Sequence, residues 1–109
     1  MAEVLGPFEQ AVLLALVRLG ADAYGRAVLN EVQTRLNRAV SAGAVYATLD
    51  RLEAKRLVSS TLAPGTPVRG GRARRYFALT GQGVRVLNEA KQVTEALWSG
   101  LRWPLKVHS

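Results

Sequence analysis

Four arginines, Arg69, Arg72, Arg74 and Arg75, stand within seven positions of one another, beside Gly65, Gly70 and Gly71 and between Pro64, Pro67 and Tyr76. Each guanidinium presents a planar fork of donors to phosphate oxygens, and each phosphate it neutralises releases condensed counterions. A glycine-rich loop with four positive charges is suited to a polyanion. The rest of the chain does not dilute this signal. Fifteen Lys and Arg against eight Asp and Glu give a formal charge of +7; residues 1–40 are balanced, while residues 64–79 alone carry +4. In isolation such a run is a solvated loop, so its meaning depends on the elements around it.

Few other residues could do chemistry. The 109-residue chain has no cysteine, hence neither a thiolate nucleophile nor a disulfide framework, and its single histidine, His108, is the penultimate residue. No all-protein zinc site and no histidine acid–base pair is expected. Asp50 and Glu53 come nearest to a carboxylate pair, but their helix is better explained as a recognition element. In residues 65–72 the glycines suggest a phosphate loop, yet Gly71 and Arg72 replace its lysine and hydroxyl residue, and a strand follows where a helix is required. An enzyme, a cofactor and a metal are therefore not expected. The longest unbroken apolar run, residues 11–17, is seven residues long. A bilayer span needs about 20, and no basic residue precedes the run as a secretory signal would require. A single cytoplasmic domain without a membrane span is expected.

The elements that would position the arginines carry their own boundary signals. Pro7 in a first turn and Gly20 just past an end delimit a helix over Pro7–Leu19. Its apolar surface, widened by Leu13, Leu14 and Val17, exceeds what a small monomer buries on one face. With Asp22 as N-cap, a second helix is expected over residues 23–37, with Val28, Val32 and Leu36 inward. Ser41 caps a third, ending near Lys55 or Arg56, whose charges complement the carboxy-terminal dipole. Val45, Leu49 and Leu52 share one face of it. The opposite face holds Gly43, Ala47, Asp50 and Ala54, flanked by Tyr46 and Arg51, and is slender enough to enter a groove. Residues 57–62 and 74–79 read as two strands joined by the basic loop. Thr80 caps a last helix, through Gln82 to about Gly100. Leu87, Ala90, Thr94, Leu97 and Leu101, spaced 3, 4, 3 and 4, follow the rhythm of a helix-pairing seam and suggest self-association with Leu13 and Val17 of the first helix.

Three helices, a hairpin with a basic tip and a final helix form the order of a winged helix-turn-helix, an α+β and mostly helical fold. Residues 1–80 would make the DNA-binding region and residues 81–109 the dimerisation helix and tail of one continuous domain. The third helix would lie in the major groove of double-stranded DNA and the wing on the backbone or minor groove. Ser41, Gly43, Ala44, Tyr46, Ala47, Asp50 and Arg51 are the candidate contacts from the helix, and Arg69, Arg72, Arg74 and Arg75 those from the wing. Arg51 could equally serve structure, phosphate or guanine. Strand alternation sets Arg74 and Arg75 on opposite faces, so one of the two would point to DNA. A winged-helix interaction module, its basic wing on an acidic partner, is the alternative.

The residues resemble those of the PadR family of bacterial transcriptional regulators over nearly the whole chain. Ala23-Tyr24-Gly25, the run from Val45 to Glu53 with its tyrosine-x-x-leucine-x-arginine-leucine-glutamate core, and Arg74 to Gly83 with its threonine-x-x-glycine ending carry the likeness. The resemblance implies a homodimer joined by the carboxy-terminal helix, repressing promoters from a pseudo-palindromic operator. It also implies a phosphate contact from the Tyr46 hydroxyl, and release of DNA by a small aromatic effector, for which Trp98 and Trp103 are the candidate stacking surface. Ala44, Ala47 and Arg56 depart from the family pattern, standing where serine or threonine, proline and glycine are common.

Overall fold

The computed structural model describes residues 4–63 and 73–108. Helix α1 spans Pro7–Leu19, a 3₁₀ turn covers Gly20–Asp22, α2 spans Gly25–Leu36 and α3 spans Ala42–Ala54. Strands β1 (Val58–Ala63) and β2 (Arg74–Leu79) pair antiparallel, with Val58 opposite Leu79 and Ala63 opposite Arg74, and α4 runs Gly81–Trp98. This is the expected order: a helix-turn-helix braced by α1, a wing, and a last helix.

Local chemistry accounts for most boundaries. α1 begins at Pro7, where Glu9 Oε1 accepts from the Gly6 N–H at 3.0 Å, and ends at Gly20 with φ of 56°. The start of α2 differs from expectation. Asp22 ends the 3₁₀ turn instead of capping, and the helix begins two residues later than the expected Ala23. The cause is long-range: the Ala23 carbonyl accepts from the Phe77 N–H at 2.8 Å and Tyr24 forms an isolated bridge with Tyr76, so this stretch is held against β2. Asn37, left-handed at φ of 53°, closes α2. The Gln33 side chain then accepts from the Val40 N–H, and Ser41 Oγ accepts from the Ala44 N–H, both at 3.0 Å, which orients α3.

The end of α3 and the start of α4 are tied together. Arg56 stands in the left-handed region at φ of 64°. Around it the Arg56 N–H donates to Glu53 O at 2.9 Å and the Leu57 N–H to Leu52 O at 3.0 Å, the paired bonds of a Schellman closure. Thr80 Oγ1 donates to the Arg56 carbonyl at 2.7 Å and accepts from the Gly83 N–H at 3.0 Å, so one hydroxyl joins both helix ends. Gly83 is buried against Leu57, whose carbonyl a Cβ at that position would strike.

Val12, Leu13, Val28, Val32, Val45, Leu49 and Leu52 are fully enclosed in one core with Leu57, Phe77 and Val86. Each buried side chain of this size contributes roughly 1.5–3 kcal/mol. Leu13, expected at a dimer surface, is 0% exposed and belongs to this core instead. Leu14 and Val17 are the large apolar residues of α1 that face outward. Only the first half of α4 joins the body; every described side chain from Lys91 onward is exposed. The expected seam on α4 is therefore divided. Leu87 and Ala90 turn partly into their own core, Thr94 and Leu97 stand free, and Leu101 lies past the end of the helix.

Candidate nucleic-acid interface

The outer face of α3 is what a groove-binding helix requires. Val45, Leu49 and Leu52 fix its inner side in the core, which leaves Gly43, Ala44, Ala47, Asp50 and Ala54 exposed in front of it. A Cβ on Gly43 would meet nothing within 4 Å, so the surface there is open. Ser41 caps the helix at the edge of this face. Small side chains keep the helix slender, and Asp50 and Arg51 are exposed polar groups on and beside this face.

Two flanking side chains are held in position. The Tyr46 ring lies against the first residue of α2, Gly25, where any Cβ would overlap it, and is still 44% exposed. The Tyr24-Gly25 pair thus has two separate tasks: Tyr24 bridges to Tyr76 of β2 and Gly25 makes room for the tyrosine of α3. Arg51 Nη2 donates to Thr48 Oγ1 at 3.0 Å. Thr48 is 1% exposed, the one buried polar residue among those described, and its hydroxyl aims the guanidinium along the helix surface. Sequence reading passed over Thr48, because a threonine among apolar neighbours looks like core filling. Its i, i+3 spacing to Arg51 was the available signal.

The wing is coupled to α3 by a relay. Arg75 Nη1 donates to Ser60 Oγ at 2.9 Å, and Ser60 Oγ donates to Glu53 Oε2 at 2.7 Å. β2 sets Arg74 on the opposite face, where its guanidinium carbon lies 4.2 Å from the centre of the Tyr24 ring. Tyr24 in turn meets Tyr76 edge-on with centroids 5.9 Å apart. Cation–π contact and relay fix both arginines at the base of the wing. The expected opposition of Arg74 and Arg75 is thus present, with each held by a different neighbour. Arg69 and Arg72 lie outside the described residues. Lys55 pairs with Glu9 at 3.5 Å, which ties the end of α3 to α1, a contact that reaches beyond its own helix terminus.

Among the described residues, Trp98 and Trp103 make no ring contact with each other. Trp98 is 39% exposed at the last turn of α4, and Trp103 is 79% exposed beyond it. A cleft between α1 and α4 holds about 510 Å³ and is walled by Leu14, Val17, Leu79, Val84 and Leu87 with a polar rim that includes Lys91. Among the described residues, no group of three or more His, Cys, Asp or Glu could hold a metal ion, and no helix is long and apolar enough to cross a membrane.

The chain is similar to known regulators. The model of the "Transcriptional regulator PadR-like family" matches residues 13–89. A PadR family transcription regulator from hypervirulent Clostridium difficile R20291 is 27% identical, with 84% of this chain and 91% of that chain covered at a TM-score of 0.67. A PadR family transcriptional regulator from Eggerthella lenta DSM 2243 is 29% identical, with 82% and 75% covered at a TM-score of 0.64. F93 from STIV, a winged-helix DNA-binding protein, is 18% identical, with 92% and 100% covered at a TM-score of 0.67, and shows the fold alone. No curated protein matches the chain.

Proposed function

Because the chain belongs to the PadR-like family of transcriptional regulators, we propose that it is a sequence-specific repressor that binds a pseudo-palindromic operator as a homodimer. That family is one of regulators and not of enzymes. In this reading α3 enters the major groove and the wing lies on the backbone or in the minor groove. The observation that carries it is the α3 surface: a fully buried inner side opposite an exposed outer side of Gly43, Ala44, Ala47 and Asp50. Tyr46 and Arg51 flank that surface from fixed positions, and Arg74 and Arg75 stand at the base of a wing whose segment 64–79 carries four arginines and no acid.

Residues 1–80 supply the DNA-binding half of this function and residues 81–109 the association half. Leu14, Val17 and the exposed side chains of α4 are the apolar surface that a second copy would cover. Two copies related by a two-fold axis would present their α3 helices to half-sites one turn of duplex apart, roughly 34–36 Å. A small aromatic effector would act at Trp98, the exposed indole nearest the association surface, and release DNA by changing the separation of the two recognition helices.

The test is fluorescence anisotropy on duplex from the region upstream of the protein's own gene, against a shuffled duplex of the same composition, at two salt concentrations. Preference for the upstream duplex that survives the higher salt supports a sequence-specific regulator. Equal and salt-fragile binding to both duplexes contradicts it, since the +7 charge alone would then account for the affinity.

A further inference from the structure

Thr48 places a hydroxyl where the core would take a methyl group. It lies on the inward side of α3 with Val45, Leu49 and Leu52 and is 1% exposed. A valine has the same branched shape and would fill that space without taking a hydroxyl out of water. The hydroxyl's partner is Arg51 Nη2, at 3.0 Å. Arg51 is an exposed residue, so a buried polar group is spent on holding a side chain that lies outside the core.

The bond determines where the guanidinium sits. Long side chains on a helix lean toward its amino terminus, and Thr48 stands about one turn before Arg51. The guanidinium is therefore drawn back from the end of α3 toward its middle. Ala44 and Ala47, seven and four positions before Arg51, share its side of the helix and are too short to cover it. The bond also leaves a reading group intact. A guanidinium has two forks of paired N–H groups, one made by Nη1 with Nη2 and one by Nε with Nη2, and each Nη2 hydrogen belongs to one of them. Thr48 occupies a single Nη2 hydrogen, so one complete fork remains.

Charge selects what that fork meets. Residues 42–54 hold one cation, Arg51, against Asp50 and Glu53, whereas residues 64–79 hold four arginines and no acid. The wing is matched to phosphate. A net-negative helix with a single guanidinium fork beside glycine and alanine is matched to base edges, where guanine presents its O6 and N7 acceptors side by side. We propose that Arg51 reads a guanine through that fork and that Thr48 is its positioning residue, holding the side chain in place before DNA arrives. The proposal rests on the reading above that α3 enters the major groove, and names a base that α3 selects there.

The test pairs protein variants with duplexes. Fluorescence anisotropy is run on the upstream duplex, on its shuffled counterpart, and on the upstream duplex with 7-deazaguanine, which lacks the N7 acceptor, in place of guanine. Wild type, Thr48→Val, Thr48→Ser and Arg51→Ala are compared, with thermal denaturation of each. The wild type is expected to lose about fivefold or more in affinity on the 7-deaza duplex, the low end of what a bidentate pair contributes. Arg51→Ala is expected to bind both upstream duplexes alike. Thr48→Val is expected to melt no lower than the wild type and to bind the natural duplex about three- to tenfold more weakly, the effect of leaving one long side chain to be ordered on binding. On the 7-deaza duplex it matches the wild type. Thr48→Ser keeps the hydroxyl and with it the wild-type pattern of binding. A wild type that prefers the upstream duplex but binds its 7-deaza form equally overturns the guanine contact and leaves the regulator reading standing. Sensitivity to 7-deazaguanine that persists in Arg51→Ala assigns the guanine to another residue and overturns it too. A Thr48→Val variant that loses the same factor on both upstream duplexes, or nothing on either, overturns the positioning role. So does one that melts well below the wild type, since the hydroxyl would then serve the fold. A wild type with no preference between upstream and shuffled duplex overturns the regulator reading and the guanine contact with it.

Discussion

Arg74 and Arg75 are neighbours with the same side chain, but their surroundings give them different work. Arg75 is bonded through Ser60 to Glu53 and so links the wing to α3, whereas Arg74 rests on Tyr24 and links the wing to the entrance of α2. Both keep donors free for phosphate, since a guanidinium has five. Replacing both with alanine is predicted to weaken binding to all duplexes alike and to flatten the salt dependence by about 0.9 in log–log slope for each phosphate that is no longer neutralised. A titration curve unchanged by the double substitution would remove the wing from the interface. Arg56 offers a test of folding alone. Its φ of 64° costs a residue with a Cβ roughly 1–2 kcal/mol, and glycine is the usual residue at that point of a Schellman closure. Arg56→Gly is predicted to raise stability by about 1 kcal/mol, measured by thermal denaturation. A lower melting temperature would show that the arginine side chain contributes more than the strain removes. The sequence alone marked Arg56 as a departure from family usage, but the strain required its backbone angle.

Between elements, two glycines do what no local pattern reveals. Gly83 lets α4 approach the Leu57 carbonyl, an immobile backbone group, so Gly83→Ala is predicted to cost roughly 1–3 kcal/mol, in the range of other overpacking substitutions. Gly25 faces the Tyr46 ring, which is half exposed and can swing aside. Gly25→Ala is therefore predicted to cost less than about 1 kcal/mol while displacing Tyr46 and weakening operator binding. Equal losses of stability and binding in the two variants would contradict this division. Most element boundaries were legible because their signals are local: Pro7 and Gly20 around α1, Ser41 before α3, Thr80 before α4. The start of α2 was not. Asp22 is a sound N-cap by type, but the backbone at Ala23 and Tyr24 is claimed by β2, more than 50 residues away in the chain. Long-range pairing of this kind leaves no trace in a window of a few residues.

On the scale of the whole molecule, the association surface was half legible. The width of the apolar surface on α1 pointed to cover on two sides, and the structure divides it: Leu13 inward, Leu14 and Val17 outward. Periodicity could not make that division, because consecutive residues of a widely apolar helix differ only in which neighbour reaches them. The heptad-like series on α4 met the same limit, since its first members serve the protein's own core. The candidate DNA surface was more legible. Gly43, Ala47, Asp50, Tyr46 and Arg51 emerge together on the exposed side of α3, because Val45, Leu49 and Leu52 commit the other side to the core with no competing partner.

If the exposed side of α3 reads DNA, as proposed, Ala47 stands in the middle of the reading surface. Ala47→Glu places a carboxylate against the phosphates and bases that the helix would meet, while its exposed position leaves the core untouched. The decisive measurement is anisotropy of the wild-type protein and this variant on the upstream duplex, with circular dichroism of both. The expected variant folds like the wild type and loses upstream-duplex preference altogether. A variant that folds and binds that duplex as tightly and as selectively as the wild type would take α3 out of the recognition surface.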